Sequence, residues 1–292
     1  MTPEENDRYA RQIRLPQVGE QGQIRLAASR VLVIGMGGLG SPVAMYLTAA
    51  GVGHLVISDY DRVESSNLQR QIAHGHADIG ELKAASASRT LTQLNPAVRV
   101  DVLDYEVEGQ ELIEQAERAN VIVDCTDNFP SRFELNRVSL QTNTPLVSGA
   151  AIRWEGQVAT FIPSDPTSPC YQCLYPDTGI EAATCAMEGV IAPIVGVIGT
   201  TQALETLNVL LQTGGGYAVS YWPSMVLRWS GRTSRYLGTS IVQPADTART
   251  ATETHFNHQY VTFPPAAPFQ QSPGSGRAVQ NSGLRVATRC GQ

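Results

Sequence analysis

Apolar residues in this chain fall into short blocks that alternate with helical spacing. Val31-Leu32-Val33-Ile34 is a β-branched run of strand length, and residues 39–50 carry Leu39, Val43, Leu47 and Ala50 on one helical face. The alternation continues with a strand at 54–58 and a helix at 78–93 that holds Lys83 near its start and closes at Asn95-Pro96. A strand at 98–103, a helix at 109–118, a strand at 121–123, a helix at 129–142 and a strand at 145–148 follow. Strands separated by helices predict an α/β fold, a Rossmann-like doubly wound and mostly parallel sheet. The polar segment 1–30 reads as helical.

After Gly149 the rhythm changes. Residues 157–162 read as an antiparallel strand, 163–188 as loop holding three cysteines, 190–212 as an apolar helix, and 217–237 as short strands that extend the sheet. From about 239 the chain is rich in proline and glycine and carries neither period, so 239–292 is expected to be disordered. The expected organisation is one domain over 1–238. It comprises N-terminal helices 1–30, a nucleotide-binding core 31–150 and a partner-binding part 151–238, followed by the tail.

With 292 residues, 42% hydrophobic and 16% charged, the chain can bury a core without disulfide staples. A net charge of -6 argues against a nucleic-acid or acidic-membrane partner. The acidic N-terminus lacks the apolar stretch of a signal peptide, and no run of about 18 apolar residues predicts a membrane span. A cytoplasmic location is therefore expected. The five cysteines include a Cys-x-x-Cys, which in this setting favours metal or sulfur chemistry over disulfides. Among the 21 basic residues there is a single lysine, Lys83, the others being arginine. A lone lysine suits a tight phosphate site that needs a compact point charge.

Gly35, Gly37 and Gly40 match G-x-G-x-x-G between a strand and a helix, with Gly38 inside the motif. That arrangement offers free backbone N–H groups and a helix N-terminus to a phosphate. Asp59, 19 residues after Gly40, is placed to hold ribose hydroxyls. These features serve ATP and NAD equally. Arg70 and Lys83 break the tie, because fixed cations stabilise the charge that builds on phosphate during phosphoryl or nucleotidyl transfer. Asn67 either orients phosphate or caps a turn, and its neighbour Arg70 favours the former. Asp127, at the end of a strand beside Asn128, either holds Mg²⁺ or caps the following helix. Cys125 reads as buried packing.

Several segments together resemble the ThiF/MoeB/HesA-type adenylyltransferases, relatives of the ubiquitin-activating enzymes. They are Arg8-Tyr9-Ala10-Arg11-Gln12, Gly35-Met36-Gly37-Gly38-Leu39-Gly40-Ser41-Pro42, Ser66-Asn67-Leu68-Gln69-Arg70-Gln71, Asp124-Cys125-Thr126-Asp127-Asn128, Ser148-Gly149-Ala150-Ala151-Ile152-Arg153-Trp154-Glu155-Gly156 and Cys170-Tyr171-Gln172-Cys173. The similarity spans about 5–235, and 148–156 is nearest the molybdopterin-synthase branch. The resemblance implies ATP-dependent adenylation of the C-terminal glycine carboxylate of a small ubiquitin-like sulfur carrier ending in Gly-Gly, with release of pyrophosphate. It implies nucleotide contacts from Gly38 and Asp59, and phosphate contacts from Asn67, Arg70 and Lys83. Asp127 would act through Mg²⁺, and Arg11 would reach ATP across a homodimer; otherwise Arg11 is a solvated helix charge. A sulfur donor such as a cysteine desulfurase or sulfurtransferase would act next.

Cys185 either bonds to the carrier through sulfur, as in the thiamine branch, or is a plain loop thiol. Cys170 and Cys173 have the spacing of half a zinc site, but the second Cys-x-x-Cys of the family is missing. Only Cys290, or a histidine such as His255 or His258, could complete it, so a lost or impaired zinc site is expected. Trp222-Pro223 stands where the family has an aspartate after Tyr221, and the C-terminal part reads as abruptly diverged, as a frameshift would leave it. The rival readings are a carrier-binding homologue with impaired catalysis and a NAD(P)-dependent oxidoreductase.

Overall fold

The computed structural model describes residues 2–175, 188–212 and 225–228. Its centre is the strand β1 (Arg30–Ile34), whose Val31, Leu32 and Val33 are fully buried. A continuous apolar run of this kind is what a strand covered on both faces requires. β2 (His54–Ser58) and β4 (Val121–Asp124) flank β1 in parallel. β3 (Arg99–Leu103) pairs with β2, and β5 (Leu146–Ile152) with β4, again in parallel. β6 (Glu155–Phe161) and β7 (Met225–Arg228) then add antiparallel strands, giving one seven-stranded sheet in the order β3-β2-β1-β4-β5-β6-β7. The doubly wound, mostly parallel sheet with an antiparallel extension is the fold expected from the sequence.

The order reverses between β1 and β4. In sheets of this kind a crevice opens beyond the carboxyl ends of the strands at that point. The chain leaves β1 there into α3 (Gly40–Ala50), and leaves β4 into α6 (Phe129–Thr142).

One core lies between the sheet and the face carrying α3, α4 (Lys83–Leu94) and α8 (Ala192–Leu211). The other lies under α5 (Gly109–Glu117), α6 and the short α7 (Tyr171–Leu174). By length and composition α8 could cross a membrane, yet it lies across the sheet with Ile198, Gly199, Gln202 and Thr206 buried. The Gln202 side chain donates to the Asp124 carbonyl at 2.7 Å, a polar tie that a core helix needs and a lipid-facing one does not.

Several boundaries differ from the sequence reading. Segment 1–30 is two helices, α1 (Pro3–Ile13) and α2 (Gly19–Ala28), separated by a turn that contains Pro16. The first is fixed by a capping box: Glu5 N–H donates to Thr2 Oγ1, and Thr2 N–H to the Glu5 carboxylate. α4 starts at Lys83 rather than at 78. Residues 80–82 instead pair with 62–63, through Gly80 N–H to Val63 O and Val63 N–H to Glu81 O, both 2.8 Å. That ladder delays the helix and makes Lys83 its first residue. Segment 163–188, read as loop, contains α7. Cys185, Cys290, His255, His258, the Tyr221-Trp222-Pro223 site and the 239–292 tail lie outside the described residues.

Candidate nucleotide site

The loop 35–40 links β1 to α3 at the reversal of strand order. Gly35 has φ +94°, and its N–H donates to Ser58 O at 2.8 Å. A Cβ on Gly40 would stand 1.9 Å from the Gly35 carbonyl oxygen, so only glycine lets the helix start so close to the loop. Gly37 is different. A Cβ there would meet nothing nearer than Gln71 Nε2 at 3.6 Å, so the fold itself leaves that side of the loop open. Ser41 Oγ–H donates to the Gly37 carbonyl at 2.7 Å, tying the loop to the first turn of α3.

Asp59 follows β2 and braces the loop. Its Oδ2 accepts from Met36 N–H at 2.7 Å and its Oδ1 from Asp61 N–H at 2.9 Å. Burial raises its pKa above the ordinary carboxylate value, against the opposing pull of Lys83 and the two backbone donors. Each oxygen keeps a further lone pair, so the carboxylate can still accept a ribose hydroxyl.

The segment after the bridge at Arg62 brings the remaining polar groups over the loop. The Arg70 stem lies against Gly38: a Cβ added to that glycine would be 3.4 Å from Arg70 Cγ. Arg70 Nη1 donates to Ser66 O at 3.1 Å, and the side chain is part-exposed. Lys83 is only 7% exposed, and its Nζ lies 2.7 Å from Asp61 Oδ2. Asn67 is buried and spends its amide within its own turn, accepting from Glu64 N–H at 3.1 Å and donating to Ser66 Oγ at 3.3 Å. The capping role considered for it is therefore filled in this structure.

Across the crevice, Asn128 and not Asp127 caps α6, its Oδ1 accepting from Ser131 N–H at 2.9 Å. Asp127 is exposed, with no hydrogen bond from any described residue. Burial raises the pKa of Tyr60, beside Asp59, and Glu106, Asp61, Asp59 and, least of all, Asp127 add to it. An exposed carboxylate at the crevice lip fits Mg²⁺, a hard cation that takes oxygen ligands and shares them with phosphates.

Arg11 is not in this crevice. α1 docks through Gln12, which donates to Ala50 O at 3.0 Å, and through Tyr9 OH, which accepts from Asn95 Nδ2 at 2.8 Å. Ala50 ends α3, so α1 docks at the end of that helix away from the glycine loop. Arg11 is exposed. Cys170 Sγ and Cys173 Sγ lie 3.3 Å apart at the start of α7, within reach of one ion. Among the described residues no group of three or more metal-binding side chains forms. The described residues supply half a zinc site and do not by themselves fit structural zinc, which takes four ligands. Cys125 is buried behind the loop, and desolvation pushes its thiol well above the ordinary pKa, as packing would.

Three residues of the site were not singled out from the sequence. Asp61 holds Lys83. Gln71, 4% exposed, sets its Nε2 beside Gly37, and its buried Oε1 has no hydrogen-bond partner. His74, 7% exposed, bonds the loop itself. A buried amide left unpaired costs about 1–3 kcal/mol, which a ligand can recover.

A profile of the ThiF family matches residues 9–235. The sulfur carrier protein ThiS adenylyltransferase of Escherichia coli K12 is 42% identical over 229 residues, covering 76% of this chain and 91% of that protein. The adenylyltransferase and sulfurtransferase MOCS3 of Dictyostelium discoideum is 42% identical over 218 residues; the match takes in 74% of this chain but only 51% of that protein, about half its length. Among solved structures, E. coli MccB with succinimide superposes with a TM-score of 0.65 at 20% identity, covering 81% of this chain and 72% of that one, a likeness of fold. On this match over most of its length, the chain belongs to the ThiF family.

Proposed function

We propose that this protein uses ATP to adenylate the C-terminal glycine carboxylate of a small ubiquitin-like sulfur carrier. A carboxylate oxygen attacks the α-phosphorus, the bond from that phosphorus to the β-phosphate bridging oxygen breaks, and carrier acyl-adenylate and pyrophosphate result. The acyl-adenylate is then open to attack by sulfur. A cysteine desulfurase or sulfurtransferase would supply that sulfur. The relatives' printed names point the same way, and so does the chemistry of the crevice.

The observation that carries the reading is the placing of Arg70 over Gly38, with the buried Lys83 held by Asp61, two residues after the Asp59 that braces the loop. A hydride-transfer site has no use for two cations there. Arg70 and Lys83 would take the phosphate oxygens, and the open flank at Gly37 would admit the chain of phosphates. Asp59 would hold the ribose. Asp127 would hold Mg²⁺, which when bound neutralises phosphate charge. Gln71 would accept, through its unpaired Oε1, from an N–H or O–H of the nucleotide.

Arg11 serves the site of a second copy in this reading. Its distance from its own loop supports that, and so does an exposed apolar groove beside it. Tyr46 and Leu204, each 56% exposed, line the groove together with Gln12, Ala49 and Leu207. A homodimer covering this face would bring α1 of one copy toward the other. Cys185 stays a candidate for sulfur bonding to the carrier.

The test is exchange of labelled pyrophosphate into ATP in the presence of a Gly-Gly-terminated carrier, with mass spectrometry for its AMP adduct. Carrier-dependent exchange is expected. Tight carrier binding with no exchange would make the protein a docking homologue, and neither ATP binding nor exchange would remove the nucleotide reading.

A further inference from the structure

His74 touches the glycine loop at Met36. Its Nε2 lies 3.0 Å from the Met36 carbonyl oxygen. A carbonyl only accepts, so Nε2 carries the hydrogen. Nδ1 is then the acceptor for Ser86 Oγ–H at 2.9 Å. Met36, fully buried between Gly35 and Gly37, is also held at its N–H by Asp59. One residue of the loop is thus clamped at both of its peptide groups.

Ser86 lies three residues after Lys83, on the same face of α4. Thr90 Oγ–H adds a second tie from α4, to the carbonyl of Ala73 at 2.7 Å. Burial lowers the His74 pKa and Lys83 adds to this; the Met36 carbonyl, Asp59 and Asp78 oppose it, but the net shift is downward and favours the neutral ring. A neutral ring is what the two bonds require, one donor and one acceptor.

We propose that His74 is a positioning residue of the nucleotide site, tying the Met36 carbonyl to α4 so that the glycine loop and Lys83 are held at a fixed separation. The inference rests on the ATP reading but not on the carrier. Loop and lysine must meet the same row of phosphates, and a misplacement of about 1 Å in such a constellation can cost about a hundredfold.

The measurement is ATP–Mg²⁺ affinity by calorimetry, without carrier, on wild type, His74→Phe, His74→Gln and Leu91→Val. His74→Phe keeps the volume and loses both bonds; His74→Gln keeps an N–H that can reach Met36. Leu91, buried on α4 away from the loop, controls for loss of stability alone. The expected result is about a tenfold or greater loss of affinity in His74→Phe, substantial recovery in His74→Gln, and wild-type affinity in Leu91→Val at a comparable fall in Tm. Equal affinity in wild type and His74→Phe, or an equal loss in Leu91→Val, overturns the inference and leaves the ATP reading intact. A wild type that binds no ATP overturns both.

Discussion

Lys83 and Asp61 meet twice: the lysine Nζ lies 2.7 Å from Asp61 Oδ2, and the lysine N–H donates to the Asp61 carbonyl at 2.8 Å. The pair is uneven, the lysine being buried and the aspartate side chain 58% exposed. The chain's single lysine is therefore buried with a half-exposed carboxylate as its counter-charge. Asp61→Asn should lower the stability of the ligand-free protein by about 1–3 kcal/mol, because a buried ammonium loses its counter-charge. ATP should then raise Tm more in the variant than in wild type, since phosphate restores that charge. Differential scanning fluorimetry reads both numbers, and an ATP-induced rise no larger than in wild type would mean that Lys83 does not pass to phosphate. Lys83→Ala should cut pyrophosphate exchange about a hundredfold or more, with Lys83→Arg failing to restore it.

Two glycines of one loop should separate folding from binding. Gly40→Ala drives a methyl group to 1.9 Å from the Gly35 carbonyl oxygen, and a loss of about 3 kcal/mol or failure to fold is expected. Gly37→Ala meets only Gln71 Nε2, at 3.6 Å, and should stay within about 0.5 kcal/mol of wild type. Its methyl group would occupy the flank open to phosphate, so ATP affinity should fall at least about tenfold, or about 1.4 kcal/mol. Urea unfolding and calorimetry on the two proteins check the contrast. A Gly37→Ala protein with unchanged ATP affinity would place the phosphates elsewhere.

The sheet was legible because β1, β2 and β4 are buried on both faces and carry apolar runs at their centres, while α3 follows the helical period and α8 is apolar along its length. The start of α4 was not, because residues 80–82 are drawn into a ladder with 62–63 that no local pattern announces. The same blind spot hid Asp61, whose role exists only through that pairing. Glycines 35, 37 and 40 and the cations at 70 and 83 were visible by type and order. His74 and Gln71 were not, since one histidine and one glutamine in a polar stretch look the same exposed or buried. Asp127 was left between metal ligand and cap; the structure gives the cap to Asn128, one residue on, a distinction finer than sequence periodicity resolves.

Arg11 supplies a test of the two-copy site. Arg11→Ala and Asp127→Asn should each be nearly inactive in pyrophosphate exchange. If Arg11 acts on the partner's nucleotide, a mixed dimer carries one doubly defective and one intact site. An equal mixture after subunit exchange should recover about a quarter of wild-type activity, as random pairing predicts for a twofold assembly. No recovery, with exchange verified by native mass spectrometry, would place Arg11 within its own copy or outside the chemistry. Leu204→Glu should yield monomers by light scattering and lose activity with its nucleotide residues untouched.

Glu205 gives the pH test. It lies on α8 against β6, accepting from Thr160 Oγ–H at 3.3 Å and Asn208 Nδ2 at 3.4 Å. Desolvation raises its pKa above the ordinary carboxylate value, and the two hydrogen bonds only partly oppose this. Below the unfolded-state pKa both folded and unfolded forms are protonated and the group imposes no cost. As pH rises through the unfolded value, the unfolded chain ionises while the folded protein holds its proton, so the fold loses stability. The loss is complete once pH passes the folded pKa. Glu205→Gln keeps the shape and the acceptor oxygen and removes the titration. Its Tm should match wild type near pH 4, where carboxyl and amide are both neutral, and exceed it at pH 7–8. A constant difference across that range would mean that the Glu205 carboxyl ionises as freely in the folded protein as in the unfolded chain, and that the α8–β6 contact does not bury it.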